Sequence, residues 1–143
     1  MNMTIKQIRR WAAAVAAICL LTLFLPLYGM TAFAATARIA FSDPTASVGS
    51  EINVKMKITS SDNLSTADIM LAYDPGSLEF IEGTNAEGGN GAVRVHGDGG
   101  GANTTTPAYD LKFKASAAGT SKITVTSQEI YDASSQIVTV DKQ

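Results

Sequence analysis

The chain contains one histidine, His96, and one cysteine, Cys19, and these two residues limit the chemistry it can perform. A hydrolytic triad needs a histidine beside a nucleophile and an orienting acid, and catalytic zinc sites commonly use several histidines. Cys19 lies in the apolar N-terminal stretch, so the rest of the chain has no thiol and no disulfide. These residue types argue against an enzyme of either class and against a cysteine-ligated metal.

The acidic residues also offer little for catalysis or metal binding. A glycosidase needs two carboxyl groups facing each other across the substrate, whereas most acids here fall at turns or at polar positions of alternating segments. Asp98, beside a run of glycines, is most simply a solvated loop acid. Asp62, Asp98 and Asp132 could each join a calcium site, but no segment has the spacing of a calcium-binding loop. We therefore expect no catalytic residue, no bound metal and no cofactor.

The aromatic residues give little support for a sugar-binding platform. Carbohydrate-binding modules commonly stack sugar rings on exposed aromatic side chains, tryptophan above all. The only tryptophan, Trp11, lies in the N-terminal stretch, and alternation places most other aromatics on inward positions. Tyr131 alone is expected to be exposed. The aromatic residues after position 34 are Phe41, Tyr73, Phe80, Tyr109, Phe113 and Tyr131.

Residues 1–34 have the pattern of a secretory signal peptide. A basic start is followed by an uncharged, largely apolar stretch from 11 to 28, and an Ala-Phe-Ala site ends at Ala34. We predict cleavage after Ala34, which leaves residues 35–143 as a secreted, extracellular domain without a membrane attachment. The alternative is a retained anchor, because about 18 apolar residues are the lower limit for a membrane span. Pro26 breaks that helix near its end and favours cleavage.

The charge of the remaining domain excludes two classes of partner. After Ala34 there are eight lysine and arginine residues against thirteen acids, a net charge of −5, and no basic cluster. Nucleic acids and anionic membrane surfaces both require clustered cations. About 109 residues are enough for one domain with a single core. We expect a mildly acidic domain that binds neither nucleic acid nor membrane.

Apolar residues alternate with polar ones through most of residues 35–143. Between Glu51 and Thr59 every second residue is apolar, which is typical of a strand with one buried and one wet face. Short strands of this kind between turn signals indicate an all-β sandwich or barrel. The glycine-rich segments 83–91 and 97–106 are predicted as surface loops, although they could also form a ligand-contacting rim. The eight predicted strands are 38–42, 51–59, 65–73, 78–81, 92–96, 109–115, 122–127 and 137–140.

Several segments together resemble a known family. They are Val48–Val54, Leu64–Phe80 with its Tyr73-Asp74-Pro75 turn, Leu111–Ala115 and Gly119–Ser127. Their order and spacing are similar to those of the cohesin domain of bacterial cellulosome scaffolds. The resemblance implies a jelly-roll β-sandwich of eight to nine strands, related in fold to the family 2 and 3 carbohydrate-binding modules.

The resemblance also implies a function and a binding surface. A cohesin is a non-catalytic module that binds a dockerin, a small helical protein module that carries its own calcium, through the outer face of one sheet. The strand before the Tyr-Asp-Pro turn supplies an Asn and an Asp in the family, and here those positions hold Thr66 and Asp68. Alternation independently places Thr66, Asp68, Met70 and Ala72 on the wet face, so we predict these four as partner-binding residues. The alternative is a carbohydrate-binding or wall-associated sandwich that binds polysaccharide and has no dockerin partner.

Overall fold

The computed structural model describes residues 34–98 and 103–141, and within them the protein is all-β. The predicted signal peptide lies outside the described residues apart from Ala34. Among the described residues no helix is long and apolar enough to cross a membrane. The strands are β1 Thr36–Phe41, β2 Glu51–Ser60, β3 Leu64–Ala72, β4 Leu78–Gly83, β5 Ala86–Gly89, β6 Ala92–Gly97, β7 Ala108–Ala115, β8 Thr124–Asp132 and β9 Thr139–Val140.

The nine strands pair in the order β8-β3-β6-β5-β4-β7-β2-β1-β9. A single residue pair, Gly83 with Ala86, joins β4 to β5 and so connects the two halves of the ladder. We call β8-β3-β6-β5 the first sheet and β4-β7-β2-β1-β9 the second sheet. All neighbours are antiparallel except β1 and β9, which run parallel. This is the jelly-roll β-sandwich that the sequence predicts.

The core lies between the inward faces of the two sheets, where alternate residues of each strand are buried. Tyr109 is fully buried, and its hydroxyl donates a hydrogen bond to the carbonyl of Gly97 at 2.9 Å. Burial, with a smaller contribution from the charge of Asp98, raises the pKa of Tyr109 to about 12. Phe113 packs edge-on against Tyr73, with ring centroids 5.3 Å apart. The inward positions predicted by alternation on β1, β2, β3, β6 and β7 are confirmed.

Strand β8 is longer than predicted, and a β-bulge partway along it changes which residues face the core. Val125 lies opposite Leu71 and Ser127 lies opposite Met70, so one extra residue is inserted between them as a β-bulge. A one-residue insertion exchanges the faces of every later side chain. Ile130 therefore points inward and is fully buried. The prediction of a strand over 122–127 missed this half of β8 because period-two alternation stops at the bulge.

Strand β5 lies inside segment 83–91, which was predicted to be a loop, and that prediction is wrong. Gly88 has φ of 152°, and a Cβ built on it would lie 2.3 Å from the carbonyl oxygen of Ala92. The close approach of β5 to β6 therefore requires glycine at this position. Propensity alone disfavours a strand here, and pairing with β6 overrides it.

The last strand is shorter than the sequence predicts. The predicted strand 137–140 is reduced to Thr139–Val140, which pairs with the start of β1. Val138 is buried, and its amide donates to the carbonyl of Ile130 at 2.8 Å, whereas Ile137 is largely exposed. This segment thus closes the gap between β8 and β1 at one end of the sandwich.

Candidate partner-binding face

The four predicted site residues lie in one row on the outside of β3. Thr66, Asp68, Met70 and Ala72 are all half-buried, and they alternate with buried inward residues. Because β3 has β8 on one side and β6 on the other, this row runs along the middle of the outer face of the first sheet. The structure therefore brings the four residues together on a single surface.

Asp68 is held by an arginine on the neighbouring strand. The β3–β6 register places Asp68 opposite His96 and Met70 opposite Arg94, so Arg94 reaches Asp68 diagonally. Arg94 Nε donates to Asp68 Oδ1 at 3.0 Å, and Arg94 Nη2 donates to Oδ2 at 2.6 Å. His96 Nδ1 lies 3.5 Å from Oδ2. This two-point contact fixes the orientation of both side chains.

The ion pair shifts the pKa values of both partners. The hydrogen bonds from Arg94 are the largest cause that lowers the pKa of Asp68, and partial burial opposes them. The same hydrogen bonds raise the pKa of Arg94, and the charge of Glu87 adds to this. Asp68 is therefore an ionised carboxylate whose oxygens already accept hydrogen bonds from within the sheet.

Arg94 is a residue of this candidate face that sequence reasoning did not single out. It lies between Val93 and Val95, both fully buried, so alternation does place it on the outer face of β6. What the sequence does not reveal is its pairing with Asp68, 26 residues earlier. The guanidinium group contacts Asp68 through Nε and Nη2.

The two ends of this face differ in chemistry. Glu129 lies opposite Asp68 on β8, and its Oε2 accepts a hydrogen bond from the hydroxyl of Tyr131 at 3.3 Å. At the other end, Ala72 lies opposite Ala92 on β6, and Ala92 lies opposite Gly89 on β5. One end therefore carries charge, whereas the other is flat because its side chains are small.

The geometry suits binding and gives no catalytic constellation among the described residues. His96 is 61% exposed and contacts Asp68, with no described hydroxyl bonded to it. No described group of three or more His, Cys, Asp or Glu residues is placed to hold a metal ion. Asp132 Oδ1 instead accepts hydrogen bonds from the amides of Ser134 and Gln136. Tyr131, expected to be exposed, is half-buried.

The outer face of the second sheet carries paired charges. Lys112 Nζ lies 2.5 Å from Glu82 Oε1, and Lys55 Nζ lies 3.4 Å from Asp110 Oδ1. Asn53 lies between these two pairs, in a shallow depression of about 290 Å³. Each of these carboxylates already has a cation from the same sheet.

A larger cleft, of about 630 Å³, opens at one end of the sandwich between the β1–β2 and β7–β8 connections. Phe41, Ile52 and Ile123 form part of its apolar lining, and all three are only partly buried. Ser121 also lines it, and the Ser121 hydroxyl is buried without a hydrogen-bond partner in the described residues. The cleft is separate from the row on β3.

The fold is shared with solved structures of other proteins. No protein-family model matches the chain, and no curated protein matches it. The sixth cohesin of scaffoldin B from Acetivibrio cellulolyticus, in complex with a dockerin, is 19% identical, with a TM-score of 0.62 over 74% of this chain and 93% of that one. The fold is that of a cohesin module.

Two further cohesins agree with this conclusion. A non-cellulosomal cohesin from the archaeon Archaeoglobus fulgidus is 22% identical, with a TM-score of 0.60 over 75% of this chain and 84% of that one. A type I cohesin–dockerin complex from Clostridium thermocellum gives 16% identity and a TM-score of 0.62 over 73% of this chain and 94% of that one. The cohesin fold thus spans nearly the whole of residues 34–141.

The Tyr-Asp-Pro segment has a structural role in this cohesin fold. Asp74 Oδ1 accepts a hydrogen bond from the amide of Gly76 at 2.9 Å, and Oδ2 accepts one from the hydroxyl of Ser77 at 2.6 Å. These bonds lower the pKa of Asp74, and the bond from Ser77 is the larger cause. The turn ends β3 just after the candidate row, so it sets where the row stops.

Proposed function

We propose that this chain is a secreted, non-catalytic cohesin-type module that binds a dockerin-type protein through the outer face of its first sheet. The observation that carries the proposal is the row of Thr66, Asp68, Met70 and Ala72 on the middle strand of that sheet. The cohesin fold supports it, since two of the similar cohesins were solved as complexes with dockerins. The calcium of such a complex would be carried by the dockerin.

The physical character of the face favours a protein partner over a polysaccharide. A bidentate ion pair holds Asp68 and Arg94 in place before binding, so little side-chain entropy is lost on association. Met70 is half-buried and flexible, and methionine adapts to the shape of a partner. Sugar rings stack on exposed aromatic side chains, whereas Tyr131 is half-buried and bonded to Glu129.

Binding can be tested by calorimetry with calcium-loaded dockerins, including those of Acetivibrio cellulolyticus and Clostridium thermocellum. We expect Ala72→Arg to weaken binding by roughly 30-fold or more, because it places a long charged side chain on the otherwise flat end of the contact, where the neighbouring side chains are small. Ala40→Arg is the matched control, since Ala40 is exposed on the outer face of the second sheet. If Ala72→Arg and Ala40→Arg bind dockerin equally well, the contact does not include the outer face of the first sheet. Pull-down on cellulose and xylan tests the alternative: polysaccharide binding without dockerin binding would leave the fold intact and reject this function.

Export forms part of the proposal and has its own test. Cleavage after Ala34 would leave Ala35 as the first residue, and Ala35 is buried, with its carbonyl accepting a hydrogen bond from Thr139 at 2.9 Å. The proposed cut would therefore keep Ala35 in the mature chain, where it packs in the core of the domain. N-terminal sequencing of protein recovered from the medium should begin at Ala35. Recovery of the full-length chain from membranes would favour an anchor instead.

A further inference from the structure

The strands of the first sheet are short of cations. They carry four acids, Asp68, Glu87, Glu129 and Asp132, and a single basic residue, Arg94. The strands of the second sheet have the opposite balance, with five basic residues against four acids: Arg38, Lys55, Lys57, Lys112 and Lys114 against Glu51, Glu79, Glu82 and Asp110. Of the two sheets, the first is therefore the acidic one.

The one cation of the first sheet is already paired. Arg94 donates two hydrogen bonds to Asp68. Two other carboxylates on the outer face have no hydrogen bond from a lysine or arginine of the described residues. Glu129, on β8, accepts a hydrogen bond from a neutral tyrosine hydroxyl. Glu87, on β5, lies opposite Arg94 and feels its charge. Both glutamates are exposed.

The strand order fixes the distance between the backbone positions of the two glutamates. Strands β8 and β5 are the outer strands of the first sheet, with β3 and β6 between them. Three strand spacings of about 4.8 Å amount to about 14 Å, and the two glutamates are offset by one row along the strands. Glu129 and Glu87 are thus about 15 Å apart across the face. Between them lie Met70 and the neutralised Asp68–Arg94 pair.

We infer that the partner carries two cationic side chains about 15 Å apart, which pair with Glu87 and Glu129 on either side of an uncharged or apolar contact centred on Met70. The inference rests on the proposed function and identifies the partner by its charge pattern. Charge complementarity of this kind guides the approach of the partner and sets its orientation. A protein with acidic or neutral residues at these two positions would bury both glutamates unpaired, which is costly.

The test compares two double variants that remove the same amount of charge. Glu87→Gln with Glu129→Gln removes both flanking charges of the first sheet, and Glu51→Gln with Glu79→Gln removes two exposed charges from the second sheet. Association and dissociation rates are measured at pH 8 against the calcium-loaded dockerin panel, at low salt and at about 1 M salt, where charges are screened beyond about 3 Å. Melting temperatures of both double variants check that the fold is retained.

We expect the first double variant to bind roughly 3- to 30-fold more weakly at low salt, mainly through slower association, and the control to stay within about 2-fold. At high salt the difference should disappear. Equal weakening of both doubles would show that only net charge matters, and no weakening of either would show that the glutamates stay solvated; each result overturns the inference while leaving wild-type binding intact. A panel in which no dockerin binds the wild type overturns the proposed function and the inference together.

Discussion

The two outer faces of the sandwich share one core but differ in how their polar groups are satisfied. On the second sheet, Lys112 pairs with Glu82 and Lys55 pairs with Asp110, so charges are neutralised across neighbouring strands. On the first sheet the one ion pair lies beside carboxylates that no described lysine or arginine hydrogen-bonds, namely Glu87 and Glu129. The second face balances its carboxylates with lysine and arginine residues, whereas the first face has more carboxylates than lysine and arginine residues.

The comparison shows that inward residues of the strands contribute to folding, whereas outward residues set the charge of each face. Inward residues on both sheets are alike, since every strand except β5 and β9 buries at least one Val, Ile, Leu or aromatic side chain. Exposed ion pairs contribute little to stability. Charged groups do affect binding, because a partner that covers them must either pair with them or desolvate them. The difference between the faces therefore bears on which side can bind a protein and bears little on folding.

The largest expected effect concerns the residues beneath the first face. Ile69 and Leu71 are at most 1% exposed and lie directly under the candidate row. Ile69→Ala or Leu71→Ala should lower the free energy of unfolding by roughly 2–5 kcal/mol, through lost burial and the cavity left behind. Met70→Ala on the same strand is the control and should cost much less. If urea unfolding shows a loss below about 1 kcal/mol for both inward variants, the two sides of β3 are assigned the wrong way round.

A smaller effect on stability is expected from substitutions of two glycines in β5, the edge strand of the first sheet. Gly88 and Gly89 have nearly the same φ, 152° and 153°, but only at Gly88 would a Cβ meet other atoms, with Ala92 O at 2.3 Å. Gly89→Ala should cost backbone strain alone, about 1–3 kcal/mol. Gly88→Ala should cost more, because β5 must also move away from β6. Equal losses in thermal unfolding would mean that β5 does not approach β6 closely.

The smallest expected effect is the pH dependence of the ion pair on each face. The pKa of Asp68 is lowered chiefly by hydrogen bonds from Arg94, and that of Glu82 by one from Lys112. A lowered pKa in the folded state gives stability that is present above the unfolded pKa, about 4, and is lost as the pH falls through the folded value. The melting temperature of the wild type should therefore exceed that of Asp68→Asn by a few degrees at most at neutral pH, and the gap should close in acid.

The same titration compares the two faces directly. The side chain of Asp68 is 31% exposed, whereas that of Glu82 is 66% exposed, so solvent screens the second pair more. At neutral pH, Glu82→Gln should consequently lower the melting temperature less than Asp68→Asn does. Both differences from the wild type should close in acid. A larger gap for Glu82→Gln would mean that the second face contributes the stronger pair.

Local pattern allowed much of the fold to be predicted. Alternation identified the buried side of β2, β3, β6 and β7, because a strand with one wet face must place apolar residues at every second position. The same rule placed Thr66, Asp68, Met70 and Ala72 on one surface. The turn at Tyr73-Asp74-Pro75 was also predictable, since its residues act on their own backbone within three positions.

Other features depend on residues far apart in the chain. The bulge that turns Ile130 inward exists only in the pairing of β8 with β3, and the glycines of β5 form a strand only against β6. The pairing of Asp68 with Arg94, and the isolation of Glu87 and Glu129 at the two sides of the face, follow from the strand order β8-β3-β6-β5.

The sequence by itself therefore determined which side of most strands is wet and which residues on β3 share it. Tertiary structure decided which charges on that surface are paired with one another and which are not. The reason is that side-chain alternation is a local property of an extended backbone, whereas cross-strand pairing depends on how separate segments align when the two sheets close over a common core.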